Sequence, residues 1–135
     1  MSTYLVGTDG QEASETICDH LDTEVEREDV VEVLHVLSGG ADHDERSEGE
    51  AALALFEDRL GDRATVNTKQ VSRGRSPADE IAAAAEAVDA DEILVALRRH
   101  SRTERVIFGS VSHALLQRVT RPITLVPLAE YQPVV

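Results

Sequence analysis

Residues 92–128 read EILVALRRHSRTERVIFGSVSHALLQRVTRPITLVPL, and their pattern decides the fold. Glu92 to Leu97 is a short, almost continuously apolar run, and so is Ile123 to Leu128. Such runs are expected of strands in a parallel sheet that helices cover on both faces. Between them, Ser110 to Val119 carries a helical pattern, and Pro122 stops the helix before the last strand. Strand, helix and strand in that order form a right-handed parallel crossover.

The same alternation extends back to the first residues. Apolar runs at Tyr4 to Thr8 and Val30 to Leu37 read as buried strands. Thr65 to Val71 alternates polar and apolar residues instead and is expected at a sheet edge. Ala13, Ile17 and Leu21 lie four apart on one helix face; Ala52, Leu55, Phe56 and Leu60 predict a second helix. Ser76-Pro77-Ala78-Asp79 opens a third: the serine can cap, proline suits the first helical position, and Asp79 favours the dipole. Ile81, Ala84, Ala85 and Val88 form its core face. The order βαβαβαβαβ predicts one α/β domain over residues 1–135, a doubly wound parallel sheet between two helix layers. The polar segment Ser38 to Gly49 is expected to be a mobile loop.

With 26 acidic against 13 basic residues, the formal charge is −13. That surface repels nucleic acid and anionic membranes, so neither is an expected partner. Adaptation to high salt explains it, since screening acts over about 3 Å at molar ionic strength; an acidic docking face for a basic partner is the other reading. No apolar run approaches the ~20 residues of a membrane helix, the N-terminus does not look like a signal peptide, and Cys18 is the single cysteine. The expected compartment is the cytoplasm.

In open parallel sheets ligands bind beyond the carboxyl ends of the strands, where strand order reverses. The candidates are Thr8-Asp9-Gly10, Leu37 to Gly40, and the segment from Arg98 to Ser110. From Ala96 to Arg121 six arginines (98, 99, 102, 105, 118 and 121) accompany one acid, Glu104, a net +5 within this acidic chain. They lead into Gly109-Ser110-Val111-Ser112, where free N–H groups at a helix start attract phosphate. Pairing with acids on neighbouring helices is the alternative. Asp9 can accept hydrogen bonds from a ribose hydroxyl or an adenine amino group, or cap the following helix. Asp42, His43, Asp44 and Glu45 suit a divalent cation or a plain polar loop. His35 reads as a satisfied buried histidine and Cys18 as a packed thiol. Neither G-x-x-x-x-G-K-[ST] nor G-x-G-x-x-G occurs. No nucleophile–base pair is legible, so no enzymatic activity is expected.

Val6-Gly7-Thr8-Asp9-Gly10-Gln11-Glu12-Ala13-Ser14 resembles the opening of the universal stress protein family. Leu34-His35-Val36, Ile93-Leu94-Val95-Ala96, Gly109-Ser110-Val111-Ser112 and Arg121-Pro122-Ile123-Thr124-Leu125-Val126-Pro127 are similar to later parts of that family. The resemblance implies a Rossmann-like five-stranded parallel sheet of order 3-2-1-4-5. It implies a homodimer through the last strand, Ile123 to Leu128, where Pro127 limits ladder pairing. One branch of the family holds ATP through G-x2-G-x9-G-[ST]. Carried over, the three glycines fall at Ala96, Arg99 and Gly109, with Ser110 as the hydroxyl residue. Asp9 falls at the adenine or ribose contact and Val36 at a wall of the base pocket. With Ala96 and Arg99 replacing two glycines, the expectation is a non-catalytic stress-response homodimer with a degenerate nucleotide site. The alternative is an ATP- or AMP-binding switch using Asp9, Gly109, Ser110 and the arginine-rich turn. No cofactor is assigned beyond ATP or AMP as candidate ligands.

Overall fold

The computed structural model describes residues 1–37, 39–97 and 110–128. Strands β1 (Thr3–Gly7), β2 (Val30–Val36), β3 (Thr65–Val71), β4 (Glu92–Leu97) and β5 (Ile123–Pro127) form one sheet of order β3-β2-β1-β4-β5. Every neighbouring pair is parallel. Helices α1 (Gln11–Asp22), α2 (His43–Leu60), α3 (Pro77–Ala87) and α4 (Ser110–Arg118) alternate with the strands. The expected order 3-2-1-4-5 and the edge position of Thr65 to Val71 are what the sheet contains.

The period of two along each strand divides the apolar residues between two cores. Val6, Val33 and Leu94 point to the side of α1 and α2, where Ile17, Leu21, Leu53, Phe56 and Leu60 cover them. Leu5, Leu34, Ile93 and Val95 point to the other side and meet Ile81, Ala85 and Leu115 of α3 and α4. Strand order therefore reverses between β1 and β4, which the chain leaves towards opposite helix layers.

One expectation fails. The segment Ser38 to Gly49 is not a loop throughout: α2 starts at His43, and Asp42 caps it by accepting from Glu45 N at 2.9 Å. Asp44 and Glu45 in the first turn suit the helix dipole. Residues 42–48 are exposed and reach past the core, so no apolar periodicity betrays them. The inward face also shifts: Gly49, Ala52, Leu53, Phe56 and Leu60 are buried, and Leu55 is only half-buried. Gly49 is required where α2 crosses the sheet, because a Cβ there would collide with His35 and Gln70.

The two sheet edges differ. On β3 most residues are exposed and polar, Lys69 among them, as guarded edges are. On β5, Ile123, Thr124 and Leu125 are half-buried and Pro127 is exposed. Ile93 N donates to Pro122 O and Leu128 N to Leu97 O, so even-numbered residues of this strand face β4.

Candidate functional site

A crevice of about 100 Å³ opens at the carboxyl ends of β1, β2 and β4, at the point of reversal. Gly7 and Val95 form its floor, Leu34 and Val36 one wall, Pro77 and Ile81 of α3 another, and Val111 of α4 closes it. Thr8, Asp9 and Ala96 stand at its rim. Among the described residues the lining is mainly apolar and Asp9 is its one charged side chain, which suits a flat, weakly polar group.

Gly7 and Ile81 determine its depth. A Cβ on residue 7 would lie 2.5 Å from Ile81 Cδ1, so the glycine lets the start of α3 settle against the strand end. Pro77 at the first position of α3, behind the Ser76 cap that accepts from Asp79 N at 3.1 Å, fixes where that wall begins.

The β1–α1 turn is locked from within. Thr8 is 5% exposed; its hydroxyl donates to Gly10 O at 3.0 Å and shares a 2.7 Å hydrogen bond with the buried Ser14 hydroxyl. With its proton directed at Gly10, Thr8 serves the turn and leaves the rim to Asp9, whose side is exposed. Gly10 is the N-cap of α1 and has no side chain to cap with. Glu48 of α2 fills that role, accepting from Gln11 N at 3.3 Å and Gln11 Nε2 at 2.8 Å. A carboxylate thus already occupies the positive end of α1.

Beyond Asp9 and Val36 lies a wider cleft of about 450 Å³, lined also by His35, Leu37, Asp44, Glu45 and Glu48. His35 is a satisfied buried histidine as expected: its Nδ1 meets Gln70 Oε1 at 2.7 Å beneath Gly49. The cation reading of Asp42 to Glu45 is corrected, because these residues start an exposed helix. No His, Cys, Asp or Glu cluster able to hold a metal ion occurs among the described residues. Cys18 is fully buried, and loss of solvation pushes its thiol up to about 12, against the opposing pull of Arg59; it is packing, not a reactive thiol.

Of the ten candidate residues, Thr8, Asp9, Val36, Ala96 and Val111 meet at the crevice, with Gly10 one residue behind. Ser110 and Ser112 belong to the first turn of α4. Arg99 and Gly109 lie outside the described residues, as do Arg98, Arg102 and Arg105. The two remaining arginines of the cluster are paired: Arg118 with Asp79, and Arg121 with Asp89 at 3.0 Å and with Ala90 O at 2.7 Å. Sequence reasoning missed Pro77, Ile81 and Glu48 as parts of the site. Ile81 already stood out as a core position, but its place over the end of β1 follows only from the crossover of α3.

A family model described as the universal stress protein family matches residues 1–127. No curated protein matches the chain. Among solved structures, one of a universal stress protein family protein from Arabidopsis thaliana with AMP bound superposes with a TM-score of 0.71 at 12% identity. It covers 96% of this chain and 94% of that one. A universal stress protein in complex with cAMP gives 0.69 at 18% identity, covering 95% and 98%. The universal stress protein from Archaeoglobus fulgidus in complex with dAMP gives 0.62 at 20%, covering 93% and 98%. At these identities the likeness is one of fold.

Proposed function

The chain belongs to the universal stress protein family, and from that premise we propose that it is a non-catalytic stress-response module whose crevice takes an adenine mononucleotide. The observation that carries this reading is the mainly apolar crevice at the point of strand reversal, with Asp9 as the one charged side chain among the described residues that line it. Adenine enters against Val36, Leu34 and Ile81, and Asp9 accepts from the ribose hydroxyls. The phosphate leads towards the start of α4, away from the Glu48 carboxylate that fills the start of α1. Structural neighbours holding AMP, dAMP and cAMP support an adenosine monophosphate as the ligand.

The altered glycine pattern argues for AMP over ATP. In sequence, Ala96 and Arg99 take the places of two glycines in the family's ATP-holding pattern, which brings bare backbone beside a triphosphate, whereas a single phosphate needs only the N–H groups at the α4 start. The same reading takes residues 1–135 as one domain in the cytoplasm, paired into a homodimer through β5. Its net charge of −13 suits concentrated salt.

Thermal unfolding with AMP, ADP and ATP tests the assignment. At ten times its Kd a ligand adds about 1.4 kcal/mol, or a rise of roughly 4–6 °C for a chain of this length. AMP should produce that rise and ATP a smaller one. No shift with any nucleotide at millimolar concentration would remove the proposal. Sizing in molar salt tests the dimer, which a strict monomer would refute.

A further inference from the structure

A second cleft of about 210 Å³ lies along the β3 edge on the α3 side, lined by Leu34, Val71, Lys69, Arg73, Arg75 and Glu80. Three of the chain's 13 basic residues gather here within seven positions, in a protein of net charge −13. Gly74, at φ +74, makes the turn that lets both flanking arginines reach the same groove. Three cations against one carboxylate leave two positive charges.

Glu80 is 5% exposed, and its Oε2 has no hydrogen-bond partner among the described residues. A buried carboxylate oxygen without a donor is costly and calls for a missing partner. The arginines do not supply it. Arg75 Nη1 stands 3.4 Å from Oε1, and Arg73 Nε stands 3.6 Å from Oε2. Charge-assisted pairs close to about 2.7–2.9 Å, and Arg59 in this chain does so, reaching Asp19 and Asp22 at 2.8 Å. Arg73 and Arg75 keep about half of their side-chain surface in solvent, at 53% and 49%. Two half-free guanidinium groups, an exposed lysine and an orphaned acceptor describe a site that lacks its ligand's groups, a dianion and an adjacent donor.

We propose that this groove binds a small phosphate monoester carrying a hydroxyl group beside its phosphate. The dianion balances the two surplus charges and meets the arginine forks, which match phosphate geometry. The hydroxyl donates to Glu80 Oε2. Inorganic phosphate as its dianion also carries a hydroxyl, but on the phosphorus itself; the hydroxyl on the neighbouring carbon is what distinguishes the ester and leaves the phosphate oxygens to the arginine forks. A carboxylate of single charge leaves one cation unbalanced.

Calorimetric titration of the full chain with glycerol 3-phosphate, at a salt concentration that keeps it folded, tests this. Saturable binding at least tenfold tighter than that of inorganic phosphate is expected. The double variant Arg73→Gln/Arg75→Gln should weaken it tenfold or more; because it also strips the buried Glu80 of both cations, its unfolding midpoint falls, and the titration is made well below that midpoint. Glu80→Gln should erase the preference for the ester over phosphate. Saturating AMP should leave the isotherm intact, which separates this groove from the nucleotide crevice. Absence of saturable heat up to about 10 mM, equal affinity for the two anions, an unaffected double variant or competition by AMP would each overturn the proposal.

Discussion

The crevice and the cleft on either side of Asp9 and Val36 share those two residues and differ in the properties that govern binding. The smaller one, about 100 Å³, is walled by Leu34, Ile81, Val95 and Val111, continuous with the core between the sheet and α3. The larger one, about 450 Å³, is bordered by the side chains of Asp44, Glu45 and Glu48 on a helix start that reaches beyond the core. Size therefore points to the wrong one for an anionic ligand. The acids repel phosphate from the larger cleft, while the smaller offers apolar surface to a base and, among the described residues, the single carboxylate of Asp9.

That contrast can be broken in graded steps. Ile81→Ala should have the largest effect, about 2–4 kcal/mol of stability lost in chemical unfolding, because this wall of the crevice is core. Asp9→Ala should weaken AMP about tenfold or more by titration, the worth of one charged hydrogen bond. Glu48→Gln should sharpen the contrast from the other side. Removing the charge from the start of α1 costs about 0.3–1 kcal/mol of stability and raises AMP affinity a few-fold at low salt, since one repelling carboxylate is gone. Asp44→Asn with Glu45→Gln should shift stability least, within about 0.5 kcal/mol in molar salt. A large loss of stability there would mean that the acid-lined cleft is built as tightly as its neighbour.

Topology was legible in the sequence because burial on both sheet faces writes itself as short apolar runs, and Pro77 and Pro122 mark helix boundaries plainly. The start of α2 was not. Its first turns touch no core, so its only signature was the pair Asp42 and Glu45, three apart, which a polar loop displays equally well. Of the crevice, Thr8 and Asp9 were predictable from their place at a strand end, whereas Val36 and Ala96 came only from the resemblance to a known family. Ile81, Pro77 and Glu48 were not, because each reaches the site from an element distant in sequence. The orphaned Glu80 was likewise invisible, since a glutamate in the first turn of a helix ordinarily serves the dipole from solvent.

Pro127 has one more consequence. Even-numbered residues of β5 turn their N–H groups to β4, as the bonds to Pro122 O and from Leu128 N require. The N–H that proline lacks is therefore one that would have faced outward, and its absence leaves the ladder with β4 intact. Among the described residues of β5, an added strand would find outward donors at Ile123 and Leu125. The half-apolar edge of this sheet is thus kept too short to template runaway stacking of copies, and the opposite edge carries Lys69 against the same hazard. Strand addition is disfavoured at the described part of both edges, by a missing N–H donor at one and a charge at the other.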